Sequence, residues 1–478
     1  MGLGRSLYFS GLSSVVKLGI QFGLSIFVAR MLTPEEIGSF GVALAAAAFV
    51  RAFESAGVEN FVASYKALDK LLMRSVFTVN MLLNLLLAVV LWLLSEPLGA
   101  FFGADIIADI TRLTALATAL NTHVPIMRGL MRRDMRFRAF MAIDSGLMVV
   151  SAITTIAAVL YGYGALALAM ALVAEKIVSI LVGLTLFRGN IPVSPRLDGA
   201  RIIIRYGLSL STATVIGMIG NHANNFILGK LLGLAPSAQF DRGYTLPRLI
   251  SQVAQMSFHN VLVPEIARQH KAGNPCEPVV QDVVHIYATL LWPAGLVLAI
   301  VAPEVVLTLF GYQWSEAASI ASYLVIYGLL TSPVTLACSA LVALGHGGAL
   351  IRNQLADNGT KVAVLMTALF FDLRTVAILM ILPVVAYLLT ACAQLHRLKL
   401  ISPGAFARAL KGPLRITLVC ALPAFCFRLY AGDGHLSLVA LLLLASASAI
   451  VYGLSLRIWE PAMITKITDT IRGQKPAT

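Results

Sequence analysis

The sequence contains little charge for its length. Only 12% of its 478 residues are Asp, Glu, Lys or Arg, whereas about 25% of an average soluble protein is charged. Hydrophobic residues make up 58% of the chain, and the mean hydropathy is +0.85. Soluble domains of this total length would need a charged surface that these residues cannot supply. The composition therefore excludes a soluble protein and predicts one that folds in a lipid bilayer.

The motifs of common enzymes and metal sites are also absent. The sequence contains no H-E-x-x-H, G-x-S-x-G or P-loop pattern, and its five cysteines include no C-x-x-C pair. No catalytic residue, metal or cofactor is therefore expected, and we interpret the cysteines as small buried apolar side chains. The first apolar stretch is longer than the core of a signal peptide and lacks an A-x-A site, which favours a retained membrane helix.

Long apolar segments are the main feature that is present. A helix that crosses the hydrocarbon core needs about 20 mostly apolar residues. Fourteen such segments are predicted near residues 8–30, 36–57, 73–95, 106–127, 139–161, 164–187, 203–230, 238–264, 283–310, 317–344, 350–371, 375–396, 413–430 and 436–457. The loops between them have no room for a soluble catalytic domain. The predicted fold class is an all-α polytopic membrane protein whose function resides in its helices.

The basic residues are distributed unevenly among the loops. The chain has 36 Lys and Arg against 23 Asp and Glu, a net charge of +13 that in a soluble protein would indicate nucleic-acid binding. With a cytoplasmic N-terminus, 25 of the 36 basic residues fall in cytoplasmic segments, as the positive-inside rule requires. We therefore predict an even number of spans with both termini cytoplasmic, and no nucleic-acid partner.

A weak internal repeat predicts the domain organisation. Leu32 and Phe40 precede Leu232 and Phe240 by 200 residues, and both stretches join an outward-running helix to an inward-running one. A true repeat would give two lobes of the same orientation with a substrate path between them. The predicted lobes are residues 1–190 with helices 1–6 and residues 191–400 with helices 7–12, followed by helices 13 and 14 and a tail at 401–478. A chance match between apolar segments is the alternative.

Several ionisable residues lie inside the predicted spans. Burial of such residues in a membrane is costly, so each is a functional hypothesis by default. Asp109/Arg112 and Asp357/Lys361 have helical spacing and are interpreted as self-neutralising pairs. The surplus cations are predicted to bind an anionic substrate: Lys17, Arg51 and Arg248, assisted by Arg242 and Lys176. Three carboxylates are candidates for proton or sodium coupling, because a transport cycle needs groups whose charge changes: Glu54, Asp144 and Glu175.

The sign of these charges indicates the class of substrate. The planar fork of Arg can bind phosphate oxygens through two hydrogen bonds, so converging cations suit a phosphate or diphosphate head group. A cavity for cationic drugs would need the opposite sign. A polar cluster that includes Asn224 and Asn225 either faces such a cavity or bonds a neighbouring helix.

Three passages resemble a known family: Ala29 to Pro34 with Gly38, Arg133 to Arg138, and Leu309 to Gly311 with Trp314. The chain resembles the polysaccharide flippases of the multidrug/oligosaccharidyl-lipid/polysaccharide exporter superfamily, close to the colanic-acid-exporter type. The resemblance implies two six-helix lobes with two further helices in the bacterial inner membrane. It also implies transfer of undecaprenyl-diphosphate-linked oligosaccharides to the periplasmic leaflet, with a polysaccharide polymerase and a chain-length regulator as partners.

The resemblance bears on individual residues as well. Related lipid II flippases carry cavity cations on helices 1, 2 and 8, and Lys17, Arg51 and Arg248 lie on comparable helices here. Relatives often carry an Asp where this chain has Asn224, which argues against ion coupling through that position.

The sequence therefore predicts an alternating-access flippase that is not an enzyme. It would bind the diphosphate in a cationic cavity, while the prenyl tail extends into lipid through a gap between the lobes. A multidrug or small-metabolite exporter of the same superfamily is the first alternative. A membrane glycan polymerase or ligase is the second, although it would usually have a large periplasmic loop.

Overall fold

The structure, a computed structural model, describes residues 3–51, 55–65, 67–186, 195–431 and 438–461. Within these ranges it contains eighteen α-helices, two short 3-10 turns at residues 312–314 and 367–369, and no strand. The helices are α1 (Leu3–Met31), α2 (Pro34–Arg51), α3 (Ser55–Ser64), α4 (Lys70–Phe102), α5 (Asp105–Ala119), α6 (His123–Arg133), α7 (Phe137–Leu160), α8 (Leu166–Leu186), α9 (Ala200–Leu231), α10 (Leu234–Gly243), α11 (Thr245–Lys271), α12 (Glu277–Phe310), α13 (Ser315–Ala343), α14 (Gly347–Met366), α15 (Leu373–Leu379), α16 (Ile381–Arg397), α17 (Pro403–Ala431) and α18 (Leu438–Trp459).

Each of the fourteen predicted segments falls on one helix or on a pair of consecutive helices. Three segments are divided, into α5 and α6, α10 and α11, and α15 and α16, and a fourth covers parts of α2 and α3, with residues 52–54 outside the described residues. In the described part of the chain, eight stretches are long and apolar enough to cross a membrane. They correspond to α4, α7, α8, α12, α13, the α15–α16 pair, α17 and α18. The predicted all-α polytopic membrane protein is confirmed, and the count of fourteen crossings stays a prediction.

Capping residues set the helix ends that the sequence marks with Thr, Pro and Gly. The Thr33 N–H donates to Glu36 Oε2 (2.8 Å) and the Glu36 N–H donates to Thr33 Oγ1 (3.2 Å), so the two residues cap α2 reciprocally. Pro34 occupies the first turn, where its missing N–H costs no hydrogen bond. Gly103 ends α4 with a left-handed φ of 72°, a conformation that glycine adopts without steric cost.

Two helical hairpins have the same boundaries 200 residues apart. The helix α1 ends at Met31 and α2 begins at Pro34, whereas α9 ends at Leu231 and α10 begins at Leu234. This is the spacing of the internal repeat. The hairpins touch at Gly38, where an added Cβ would lie 2.0 Å from the Leu234 carbonyl oxygen. Only a glycine allows the two backbones to approach this closely.

Polar side chains bond the backbone groups that a helix break leaves free. Between α5 and α6 the Thr122 carbonyl accepts a hydrogen bond from Asn80 Nδ2 of α4 (2.8 Å). Asn84, one turn further along α4, donates to the Asn80 carbonyl (2.8 Å), and both asparagines are fully buried. Because lipid cannot satisfy a free carbonyl, such a bond is what allows a broken helix at membrane depth.

The chain forms two compact units, residues 1–238 and 239–478. In the first, α9 packs on α2, α3 and α4, and Phe61 is among the largest fully buried side chains. In the second, α13 is the most buried of the candidate spans, and Tyr287, Phe310 and Trp314 are fully buried. The predicted lobes 1–190 and 191–400 and the appended 401–478 are delimited differently and stay predictions.

Candidate functional site: two clusters of buried charge

The charge cluster of the first unit is built around Asp144 of α7. Its carboxylate accepts hydrogen bonds from Lys17 of α1 and from Arg128 Nη2 of α6 (2.5 Å for Arg128). All three side chains are partly buried. The interpretation of Lys17 as a cation without a carboxylate partner was therefore wrong, because its ammonium is paired with Asp144. A carboxylate partner offsets part of the cost of removing a cation from water. The trio has two cations and one carboxylate and keeps a net positive charge.

Three other predicted site residues belong to this unit. Glu175 and Lys176 of α8 form an ion pair with each other (3.1 Å), and both are partly buried. Arg51 is the last residue of α2 and is half-buried. Glu54 lies outside the described residues.

The charge cluster of the second unit lies at the break between α10 and α11, around Tyr244. Arg248 Nη2 bonds Asp241 Oδ1 (2.8 Å), so the interpretation of Arg248 as a surplus cation was wrong in the same way. Its side chain is nevertheless half exposed. An arginine that is both paired and accessible can exchange a carboxylate for another oxyanion.

Arg242 is held in a different manner. Its guanidinium lies 4.8 Å from the ring centroid of Phe310 and 4.8 Å from that of Trp314, and the residue is only 8% exposed. Cation–π contacts of this kind help to offset the cost of removing a guanidinium from water. Arg242 therefore contributes a fixed positive charge beside the accessible Arg248.

The turn that supplies these two rings is one of the passages that carry the family resemblance. Gly311 has a φ of 98°, which turns the chain between α12 and α13 so that Phe310 and Trp314 both reach Arg242. Gln239 secures the turn, since its Nε2 donates to the Gln313 carbonyl (2.7 Å) and its Oε1 accepts from the Ala317 N–H (2.9 Å). The sequence pattern thus encodes the surroundings of a site residue.

The site includes a lysine that sequence reasoning assigned only to helix pairing. Lys361 of α14 is 9% exposed, and its Nζ lies 5.9 Å from the Tyr244 ring centroid and 5.6 Å from that of Tyr327. The Tyr327 hydroxyl donates to Asp357 Oδ1 at 3.4 Å. The four-residue spacing of Asp357 and Lys361 was the signal in the sequence, whereas Tyr244 lies at the α10–α11 break and Tyr327 lies on α13, so neither tyrosine could be identified from that spacing.

Two further predictions concern polar residues away from these clusters. Asp109 and Arg112 form the predicted pair (2.9 Å), and Arg112 also binds Glu96 (2.7 Å). Asn225 lies against α2, where an added Cβ on Gly41 would lie 3.4 Å from its Nδ2. Its Oδ1 accepts a hydrogen bond from Asn224 Nδ2 on the same helix (3.3 Å), and the choice between facing a cavity and bonding a neighbouring helix stays open.

An apolar cavity of about 350 Å³ lies between α12, α17 and α18 in the second unit. Its walls include Leu298, Val301, Leu441 and Tyr452. Such a cavity can hold a flexible hydrocarbon chain, and it offers almost no group that would bind a sugar or a phosphate.

Comparisons with known proteins agree with this architecture. A family model described as a polysaccharide biosynthesis protein matches residues 27–319. The succinoglycan biosynthesis transport protein ExoT of Rhizobium meliloti (strain 1021) is 23% identical over 354 residues, which are 72% of this chain and 70% of the relative. The lipopolysaccharide biosynthesis protein WzxC of Escherichia coli (strain K12) is 20% identical over 327 residues, which are 68% of this chain and 66% of the relative.

Two solved structures share the fold. The lipid II flippase MurJ in an inward closed conformation has a TM-score of 0.75 at 12% identity, and the match covers 95% of this chain and 99% of that one. An inward-facing multidrug resistance transporter of the MATE family has a TM-score of 0.62 at 17% identity, with coverage of 80% and 95%. At these identities the likeness concerns the fold alone.

These findings confirm the resemblance to polysaccharide flippases. The two relatives are named as a transport protein and a biosynthesis protein, and the two solved structures are a flippase and a transporter. The chain is a multi-pass membrane protein, and because the family model matches more than half of its length, it belongs to the polysaccharide biosynthesis protein family.

Proposed function

We propose that the protein flips a lipid-linked oligosaccharide diphosphate from the cytoplasmic to the periplasmic leaflet of the bacterial inner membrane, for the assembly of a surface polysaccharide. The observation that carries this proposal is the pair of arginines at the α10–α11 break. Arg242 is buried between two rings, and Arg248 is half exposed beside it. A buried and an accessible guanidinium together form a site for a multiply charged oxyanion.

In this proposal Arg248 makes the direct contact with the substrate. A diphosphate carries more negative charge than the Asp241 carboxylate, so it competes for the guanidinium with a stronger Coulomb attraction. Release of the diphosphate restores the Arg248–Asp241 pair, so the Arg248 charge is neutralised when no substrate is bound. Arg242 stays between its rings throughout and adds a constant attractive field. Lys17, Arg51 and Lys176 remain proposed substrate contacts.

The trio around Asp144 is a proposed coupling site. Protonation of Asp144 would leave Lys17 and Arg128 close together without a negative charge between them, and their repulsion would favour a different packing of α1, α6 and α7. Ion binding can drive a transport cycle only if it changes the relative stability of two conformations, and the repulsion between Lys17 and Arg128 would provide such a change. Glu54 and Glu175 are the other proposed coupling residues.

The apolar cavity between α12, α17 and α18 supports a lipid-borne substrate. A prenyl chain needs an apolar surface, and a free sugar nucleotide does not. We propose that part of the chain occupies this cavity during transfer. Both termini are proposed to be cytoplasmic, and a polysaccharide polymerase and a chain-length regulator are the proposed partners.

A multidrug exporter is the alternative function, because a MATE transporter shares the fold. The charge of the second cluster argues against an organic cation as substrate. It contains three cations, Arg242, Arg248 and Lys361, against the two carboxylates Asp241 and Asp357. A positively charged drug would be repelled by this excess.

Polysaccharide export in a host strain that lacks its own flippase tests the proposal. Arg248→Ala should abolish export while the protein still inserts, and Arg248→Lys should restore only part of it, because an ammonium cannot form the paired bonds of a guanidinium. Arg112→Ala is the matched control, since Arg112 forms ion pairs at exposed positions and should be dispensable for export. Unimpaired export by Arg248→Ala at normal protein levels would remove Arg248 from the site.

A further inference from the structure

A second set of titratable groups lies directly beside the proposed diphosphate site. Tyr244 connects the two sets, because Arg248 Cζ lies 5.8 Å and Lys361 Nζ lies 5.9 Å from the centroid of its ring. The Tyr244 and Tyr327 rings are 5.7 Å apart, and the Tyr327 hydroxyl donates to Asp357. The charges of α10, α11 and α14 therefore act on one another through two aromatic rings of low polarity.

Of the two carboxylates in this cluster, Asp241 is paired with Arg248 at 2.8 Å, whereas Asp357 accepts a 3.4 Å hydrogen bond from the Tyr327 hydroxyl, so Asp357 takes up a proton at the lower cost. Lys361 Nζ lies against the faces of the Tyr244 and Tyr327 rings, one helical turn after Asp357. The arginines stay protonated at any physiological pH. A proton that binds to this cluster therefore binds to Asp357.

A neighbouring side chain offers an acceptor for that proton. Asn353 lies one helical turn before Asp357 on the same face of α14 and is fully buried. Its Nδ2 bonds Cys338 Sγ (3.5 Å), but within the described part of the structure its Oδ1 has no hydrogen-bond partner. A buried acceptor without a donor is costly, and the O–H of a protonated Asp357 would supply the donor.

We propose that Asp357 is a proton-binding site that sets the anion affinity of Arg242 and Arg248, an inference that rests on the proposed function. With Asp357 ionised, the cluster has three cations and two carboxylates; with Asp357 protonated, it has one carboxylate. Protonation of Asp357 removes the negative charge next to Lys361. The ammonium of Lys361 lies beside the same Tyr244 ring that Arg248 contacts. Diphosphate should bind about tenfold more tightly when Asp357 is protonated, and by linkage bound diphosphate should promote protonation.

Three groups interact directly with Asp357: Lys361 of α14, Tyr327 of α13 and Tyr387 of α16. The other groups of the cluster interact with these three or with one another: Tyr244 at the break, Arg248 of α11, Asp241 and Arg242 of α10 and Cys338 of α13. Of these, only Asp241 is a second carboxylate, and Arg248 neutralises it directly.

Infrared difference spectra of the purified protein test the proton site without any substrate. A change from alkaline to acidic pH should produce the C=O band of a protonated carboxylic acid that is missing in Asp357→Asn and present in the control Asp109→Asn. In Lys361→Met, a second variant that keeps Asp357, the band should appear at a more alkaline pH because the neighbouring cation is gone. Identical bands in wild type and Asp357→Asn would overturn the proposal, as would a band that responds to sodium in place of pH.

Calorimetric titration with inorganic diphosphate tests the link to the anion site. At alkaline pH, Asp357→Asn should bind about tenfold more tightly than wild type, and at acidic pH the two should bind equally. Each comparison is made at one pH, so the protonation of diphosphate itself cancels. Equal affinities of wild type and Asp357→Asn at both pH values, with binding lost in Arg248→Ala, would overturn this inference and leave the proposed function intact. Undiminished binding by Arg248→Ala would instead overturn the proposed site, and this inference with it.

Discussion

At the scale of single residues, buried cations form ion pairs with carboxylates that are distant in the sequence or lie across a helix break. Lys17 and Arg248 are two of the cations that sequence reasoning left without a carboxylate partner, and each has one. Asp144 lies 127 residues from Lys17, and Asp241 lies seven residues before Arg248 across a helix break. Spacing rules for a continuous helix cover only three or four residues, so neither partner could be identified from the sequence. The Asp109/Arg112 pair follows those rules and was predicted correctly.

The Asp144 trio predicts an unequal response to two alanine substitutions. Asp144→Ala leaves Lys17 and Arg128 together without an anion and should lower the free energy of unfolding by about 1–3 kcal/mol. Lys17→Ala leaves the Asp144–Arg128 pair intact and should cost less. Thermal unfolding of the purified protein measures both changes. Equal losses for the two variants would show that Asp144 does not bridge the two cations.

Gly38 makes a second prediction at this scale. Gly38→Ala places a methyl group against the Leu234 carbonyl, and one hairpin must move, at a cost of about 1–3 kcal/mol. Gly19→Ala in α1 is the matched control, because an added Cβ there meets nothing within 4 Å. Thermal stability and the amount of inserted protein should fall for Gly38→Ala and stay unchanged or rise for Gly19→Ala. Equal stability of the two variants would rule out a close contact at Gly38.

At the scale of helices, the sequence predicts positions better than interruptions. Apolar length alone located all fourteen segments on helices. The interruption at Tyr244 was not predicted, although Gly243 ends α10 and Pro247 lies in the first turn of α11, where its missing N–H costs no hydrogen bond. Apolar length is insensitive to such a break, because the residues on both sides of it count as one segment. The break places Arg242 and Arg248 on two consecutive helices.

The cavity between α12, α17 and α18 yields a prediction for these helices. Ala445→Phe should fill part of its volume and slow polysaccharide export by excluding the proposed prenyl chain, without lowering stability. Leu443→Phe on the exposed side of α18 adds the same ring outside the cavity and should export normally. The export rate at matched protein levels distinguishes them. Normal export by Ala445→Phe would mean that no chain enters this cavity.

At the scale of the whole molecule, composition was sufficient for the class of protein but not for the substrate. A charged fraction of 12% and the uneven distribution of Lys and Arg predicted a polytopic membrane protein, as found. The choice between a lipid-linked anion and a cationic drug depends on how charges from distant helices combine. The excess of cations in each cluster favours the anion.

Transfer between leaflets tests the central proposal most directly. Proteoliposomes would contain the purified protein and a fluorescent prenyl-diphosphate oligosaccharide in both leaflets, and a membrane-impermeant quencher would be added outside. Without flipping, only the outer half of the signal can be quenched. We predict that wild-type protein makes the lipid of the inner leaflet accessible to the quencher, and that Arg248→Ala does not. Two results would contradict the proposed function: quenching of only half the fluorescence with correctly folded wild-type protein, or complete quenching with Arg248→Ala.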